Sequence, residues 1–161
     1  MSKPISIIMG SQSDLETVNE AIKVLKEFKV GFEVKVLSAH RTPKELAKYV
    51  EESPKRGIKV LIAAAGGAAA LAGVVAAHTT LPVIGIPIET KSLKGLDSLL
   101  STAQMPGGIP VAAMAIGKTG AENAALFALA ILGAFDKKIA RELDAYKKTM
   151  RLKVLRAKLK R

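Results

Sequence analysis

The chain has two histidines, and one of them, His40, sits in the stretch Ser38-Ala39-His40-Arg41-Thr42-Pro43. That stretch sets a titratable imidazole, a permanent guanidinium and two hydroxyls side by side. An imidazole ionises near neutrality, so His40 is the candidate general acid/base. Arg41 offers a planar fork of donors to an anion. Thr42-Pro43-Lys44-Glu45 reads as a helix start, with Thr42 as N-cap, Pro43 in the first helical position and Glu45 completing a capping box. Capping accounts for Thr42, Pro43 and Glu45 without any ligand. It leaves Ser38, His40 and Arg41 unexplained.

A second stretch, Gly10-Ser11-Gln12-Ser13-Asp14, also leads from an apolar run into a helix. The free N–H groups and dipole of a helix N-terminus favour an anion, and Ser11 and Ser13 add hydroxyl donors. No Gly-Lys-Ser/Thr ends the stretch and the two later glycines of a dinucleotide fingerprint are missing, so neither motif is present. Its structural alternative is a capping box of Ser13 with Glu16. Gly66-Gly67 lets the backbone approach a ligand or another element closely, and the surrounding alanines favour tight packing there. The second histidine, His78, closes a helical stretch, where a cation suits the dipole. The two histidines are far apart and no acidic cluster accompanies either, so no metal site is expected. With no Cys, thiolate zinc sites and cysteine nucleophiles are excluded. This inventory fits one imidazole acting, without a metal, on a small phosphorylated substrate.

These side chains need a frame. Short β-branched runs alternate with helical segments. Strands are expected at 5–9, 32–37, 58–65, 82–88 and 109–116. Helices are expected at 14–28, from Thr42-Pro43 through Leu46, Tyr49 and Val50 with Gly57 closing the turn after it, and at 68–78, 94–101, 122–135 and 136–161. Leu15, Val18, Ile22 and Leu25 mark the buried face of the first. The continuous apolar runs are those of parallel strands covered on both faces. The alternation gives a doubly wound α/β sheet in the flavodoxin-like order 2-1-3-4-5. Ligands bind such sheets at the carboxyl ends of the strands. Four loops are expected to gather there: 10–14, 38–43, 65–70 and 104–108.

The 161 residues suit a single domain, 1–161, with no linker composition. Nearly half are apolar but few are aromatic, so the core is built from Ala, Val, Ile and Leu. The apolar run at 5–9 is too short for a signal peptide or a membrane span, and the lack of Cys fits a cytoplasmic protein. Residues 145–161 carry +8 of the net +11, leaving +3 for the rest. The basicity therefore belongs to a tail, and no aromatic residue interleaves with residues 147–161 to stack bases, which argues against nucleic acid. The helix at 122–135 is apolar nearly all round. That pattern, with the apolar stripe Ile139, Leu143, Tyr146 and Met150, predicts a homo-oligomer in which 136–161 packs partly on a neighbour.

Taken together, Gly10-Ser11-Gln12-Ser13-Asp14, Ser38 to Pro43, Gly66-Gly67-Ala68-Ala69, Gly95 to Ser101 and Gln104-Met105-Pro106-Gly107-Gly108-Ile109-Pro110-Val111 resemble the PurE family, class I. The resemblance runs in order from residue 5 to about 150. It implies a three-layer α/β/α fold, a homo-octamer and a role in purine biosynthesis. It implies transfer of a carboxylate from the exocyclic nitrogen N5 of an aminoimidazole ribonucleotide to ring carbon C4. His40 would shuttle the proton, Ser11, Asp14, Ser38 and Arg41 would hold ribose and phosphate, and no metal or organic cofactor is implied. Where the family usually has Gly, His and Pro, this chain has Ala64, Ala70 and Ala72. The lost histidine, at Ala70, would face the carboxylate. Two readings therefore stand: the mutase, and an oligomeric scaffold that keeps the fold without the turnover. Ala70 is the residue that discriminates them.

Overall fold

The computed structural model describes residues 2–157. The last helix, expected over 136–161, ends at Leu155 with Arg156 as its C-cap, and residues 158–161 of that expectation lie outside the described residues. Five strands, β1 (Ile5–Met9), β2 (Phe32–Val36), β3 (Val60–Ala65), β4 (Val83–Pro87) and β5 (Ala112–Ala113), form one parallel sheet in the order β2-β1-β3-β4-β5. The α-helices are α1 (Leu15–Glu27), α2 (Pro43–Glu51), α3 (Leu71–Ala77), α4 (Leu96–Ala103), α5 (Gly117–Gly133) and α6 (Lys137–Leu155). Helices cover both faces of the sheet, and the order is the one expected. The described chain packs as two units that divide between Ala128 and Leu129, within α5. The sheet belongs to the first. In the second, Asp136 caps α6 by accepting from the Lys138 and Ile139 amides at 2.8 and 3.3 Å.

Register fixes where the loops emerge. Met9 stands opposite both Val36 and Ala64, and Ala64 opposite Ile86. The carboxyl ends of β1 to β4 are therefore nearly level, and residues 10, 38, 66 and 88 leave the sheet along one edge. β1, β3 and β4 are buried almost throughout, which their unbroken apolar sequence requires. The exception is Ser6, fully buried on β1, whose hydroxyl lies 2.7 Å from that of Tyr49 on α2. Tyr49 also donates to Glu33 on β2, and Arg56 stacks over the Tyr49 ring at 4.2 Å. Burial, with the hydrogen bond to Glu33, pushes the Tyr49 hydroxyl up to about 12. The network satisfies the buried polar groups and locks α2, which carries the His40 loop at its start, against β1 and β2.

Several boundaries differ from expectation for local reasons. The strand expected at 109–116 is only two residues long. Pro110 has no N–H for the ladder, and Gly108 adopts φ +95° just before it. β3 begins at Val60 instead of residue 58, because the Ile58 amide donates back to Ser53. Residues 66–70 form a turn, with Gly67 at φ +69° and the Ala69 amide on the Gly67 carbonyl, so α3 starts late. On α1 the buried residues are Val18, Ala21, Val24 and Leu25; Leu15 and Ile22 are half-buried at the margin. α5 starts five residues early, at Gly117. Its residues Ala121, Ala124, Ala125 and Ala128 are buried, while Phe127 is exposed.

Candidate active site

The carboxyl edge holds a cleft of about 590 Å³. One wall is Gly10, Ser11, Ser13 and Asp14 with Ser38 to Arg41. The other is Ala65, Gly66 and Ala68 to Leu71, with Ile88, Glu89 and Thr90 beyond.

The first wall is tied together by Arg41. Its Nη2 donates to the Gly10 carbonyl at 2.8 Å and its Nε to Ser38 Oγ at 3.4 Å, so one guanidinium bridges the β1 and β2 loops. The rest of its donor fork is uncommitted among the described residues and faces the cleft. Ser38 Oγ also accepts from the Arg41 amide at 3.2 Å. Thr42 does not cap α2. Its hydroxyl accepts from the Ser38 amide at 2.8 Å and donates to the Ser38 carbonyl at 3.1 Å, closing the loop on itself. The expected Thr42–Glu45 capping box is therefore not formed. Only Pro43 plays its expected part, in the first turn of α2. His40 stands exposed at the crest of this loop, with neither ring nitrogen hydrogen-bonded within the described residues. Both nitrogens are available to carry a proton.

At the β1 loop the capping box is two residues earlier than Ser13–Glu16. The Ser11 amide donates to Asp14 Oδ2 at 3.1 Å, and Ser11 Oγ accepts from the Ser13 amide at 3.3 Å and the Ser13 hydroxyl at 2.9 Å. Ser11 accepts from both, so its own proton is not used in these bonds, and the residue lines the cleft. Asp14 is 8% exposed. Burial pushes its carboxyl above the usual aspartate range, against the Ser11 and Ser13 hydrogen bonds and the Arg41 charge, which lower it.

That shift has a sign. Between the ordinary aspartate pKa of about 4 and the raised folded value, the native chain holds the extra proton. Stability therefore falls as pH rises through that window, and the loss is complete above it. Asp14→Asn keeps an acceptor for the Ser11 amide and removes the buried charge. Its melting temperature at neutral pH is expected to exceed the parent's, and the parent's gain on acidification through the window to shrink; calorimetric scans over that range check both.

The second wall is built mainly from small apolar residues, Ala65, Gly66 and Ala68 to Ala70, with Glu89 and Thr90 as its polar members. Gly66 and Gly67 divide the roles expected of both. Gly66 lines the cleft, where a Cβ would sit 3.5 Å from Ile88 and 3.6 Å from Thr90; Gly67 does not line it and supplies the left-handed turn behind. Of the three alanines, Ala64 and Ala72 are core residues, 0% and 2% exposed, and only Ala70 reaches the cleft. The loop 104–108 does not join the site. It precedes β5, so it lies at the amino edge, where Gly108 shares a separate hollow with Thr79 and with His78, whose Nδ1 is 3.0 Å from Glu51. Ile88, Glu89 and Thr90 line the cleft although no motif marked them. The rule that placed the other loops, applied to the end of β4, finds them. Among the described residues no cluster of three or more His, Asp or Glu side chains could hold a metal ion.

The family model for AIR carboxylase matches residues 4–153. The chain is 55% identical to the N5-carboxyaminoimidazole ribonucleotide mutase of Bacillus subtilis, covering 96% of both chains. It is 52% identical to the protein of that name from Saccharolobus solfataricus, covering 96% of this chain and 97% of the other. Its fold superposes on the crystal structure of Treponema denticola PurE with a TM-score of 0.86 at 29% identity, over 94% of this chain and 93% of that one. With a match that runs nearly end to end, this chain belongs to the AIR carboxylase family.

Proposed function

We propose that this chain is an N5-carboxyaminoimidazole ribonucleotide mutase, moving the carboxylate from N5 to C4 of the ribonucleotide. The observation that carries the reading is one cleft with two unlike walls. Arg41, Ser11, Ser38 and Asp14 offer donors and an acceptor suited to phosphate and ribose. The small apolar wall at Gly66 and Ala68 to Leu71 suits the base and a carboxylate that loses its charge on the way to CO2. His40 stands beside the cleft with a free imidazole.

The step balances within the substrate. The N5–carboxyl bond breaks, its electron pair stays on nitrogen, and CO2 is released into the cleft. C4, electron-rich as the enamine carbon conjugated through C5 with the freed N5, attacks the CO2 carbon and forms the new C–C bond. The proton lost from C4 is taken by His40 and given to N5. No oxidant or reductant enters, so the chemistry asks for no redox cofactor. The apolar wall favours neutral CO2 over bicarbonate and holds it near C4.

The rest of the reading is a homo-octamer in the cytoplasm, with 136–161 packing on a neighbouring subunit. Support for an assembly comes from Leu96 and Leu100, each 51% exposed one turn apart on α4, and from Phe135, 93% exposed. No helix of the described residues is long and apolar enough to cross a membrane.

The second reading, a scaffold without turnover, rests on Ala70 alone, since Ala64 and Ala72 are core residues. Spectrophotometric assay of the parent chain and of Ala70→His with the N5-carboxylated nucleotide separates the two. The mutase reading expects C4-carboxylated product from the parent, with at most a further gain from the histidine. Product from Ala70→His and none from the parent would establish the scaffold.

A further inference from the structure

A serine buried within a helix usually donates to the carbonyl one turn back, and on α4 both Ser101 and Thr102 do so, to Asp97 and Ser98 at 2.8 Å. Ser98 does not. It is 0% exposed and points out of α4 between two loops. Its Oγ accepts from the Gly67 amide at 2.9 Å and donates to the Ile88 carbonyl at 2.7 Å. The hydroxyl thus relays one hydrogen bond across the gap between the 66–70 turn and the end of β4. These are the two segments that form the second wall of the cleft, and Ser98 itself does not line it. On the turn, the Ser101 hydroxyl also lies 3.5 Å from the Gly67 carbonyl, a long contact, and two further bonds hold the end of β4 to α4. Thr90 donates to the Asp97 carboxylate, 2.9 and 3.1 Å from its two oxygens, and also accepts from the Gly95 amide at 3.3 Å.

We propose that Ser98 is a positioning residue for the base end of the cleft. Its hydroxyl fixes the spacing of Gly66 and Ala68 from Ile88, the gap in which the carboxylate moves from N5 to C4. The Gly67 turn needs such a tether. Its left-handed backbone and the small residues around it bring few side-chain contacts to hold it, and a Cβ on Gly67 would meet nothing within 4 Å. The role rests on the mutase reading, because that reading puts the transferred group at this wall. It makes the opposite, phosphate-binding wall independent of Ser98.

The test compares the parent, Ser98→Ala and Ser98→Thr for calorimetric binding of two nucleotides: the C4-carboxylated aminoimidazole ribonucleotide, and the aminoimidazole ribonucleotide without a carboxylate. Hydrogen exchange of the 65–70 segment is followed in parallel. Ser98→Ala is expected to weaken the carboxylated nucleotide about tenfold. The uncarboxylated nucleotide should keep its affinity, and the 65–70 amides should exchange faster. Ser98→Thr, which keeps the hydroxyl, should behave as the parent. Equal loss of both nucleotides, no loss of either, or a Ser98→Ala chain that does not fold would each overturn the assignment, since the hydroxyl would then serve the fold in general or nothing at all. A parent chain that binds neither nucleotide overturns the mutase reading itself, and the assignment with it.

Discussion

Replacing His40 with Asn is expected to lower turnover by roughly 10²–10⁴-fold, the usual contribution of a positioned acid/base, while KM moves less than about threefold. The geometry makes the split specific. The loop that holds His40 is closed by Thr42 on Ser38 and braced by Arg41 on Gly10, and none of these bonds involves the imidazole. Asn is neutral, of similar reach and unable to carry a proton at working pH. The loop and the phosphate wall therefore survive the change and the proton transfer does not. Steady-state kinetics and a thermal melt measure the two halves. A variant with near-parental turnover would reduce His40 to a loop residue. A variant that loses stability along with turnover would show that the ring supports the loop.

The second large effect is expected at Arg41. Arg41→Met removes charge-assisted hydrogen bonds to a phosphate, about 1.5–3 kcal/mol, or roughly 10- to 150-fold in KM. Here kcat should change much less than KM, because the phosphate end is remote from the breaking bond. Arg41→Lys should recover only part of the loss. A lysine is a point charge and cannot span the Gly10 carbonyl, Ser38 and a bound anion as the guanidinium fork does. Initial-rate kinetics across substrate concentration checks the pair. An unchanged KM in Arg41→Met would place the phosphate elsewhere.

Much of the fold is legible in the sequence because the determining interactions are local. Buried parallel strands announce themselves as unbroken apolar runs, and β1, β3 and β4 lie where those runs are. Ser11, Asp14, Ser38, His40 and Arg41 meet in one cleft because parallel strands in near-level register send their exits to one edge. Caps are less legible. Ser11, Ser13 and Thr42 each have a hydroxyl and a nearby amide to accept from, and spacing alone does not say which pair forms. Ser11 caps in place of Ser13, and Thr42 turns back to Ser38. The loop 104–108 shows a different failure. It is expected at the carboxyl edge with the other three, but a segment entering the parallel strand β5 lies at the opposite edge. Ser98 is the hardest case. Its two partners, Gly67 and Ile88, are 31 and 10 residues away in sequence, and only the folded chain places all three together.

The difference from the family's usual motif is also narrower in the structure than in the sequence. Three alanines replace Gly, His and Pro, but Ala64 pairs with Met9 and Ile86 inside the sheet, and Ala72 is buried in α3. Only Ala70 alters the surface of the cleft. The proposed chemistry asks for a proton carrier and a wall that shelters CO2, and the groups proposed for them, His40 and the small residues of the cleft, are both present.

The most direct measurement of the central claim is retention of the transferred carbon. The parent chain is supplied with the N5-carboxylated nucleotide bearing an isotope-labelled carboxylate, in buffer with excess unlabelled bicarbonate, and the product is weighed by mass spectrometry. Transfer within a sheltering cleft predicts a C4-carboxylated product that carries the label. Product with only unlabelled carbon, or no product at all, would contradict it.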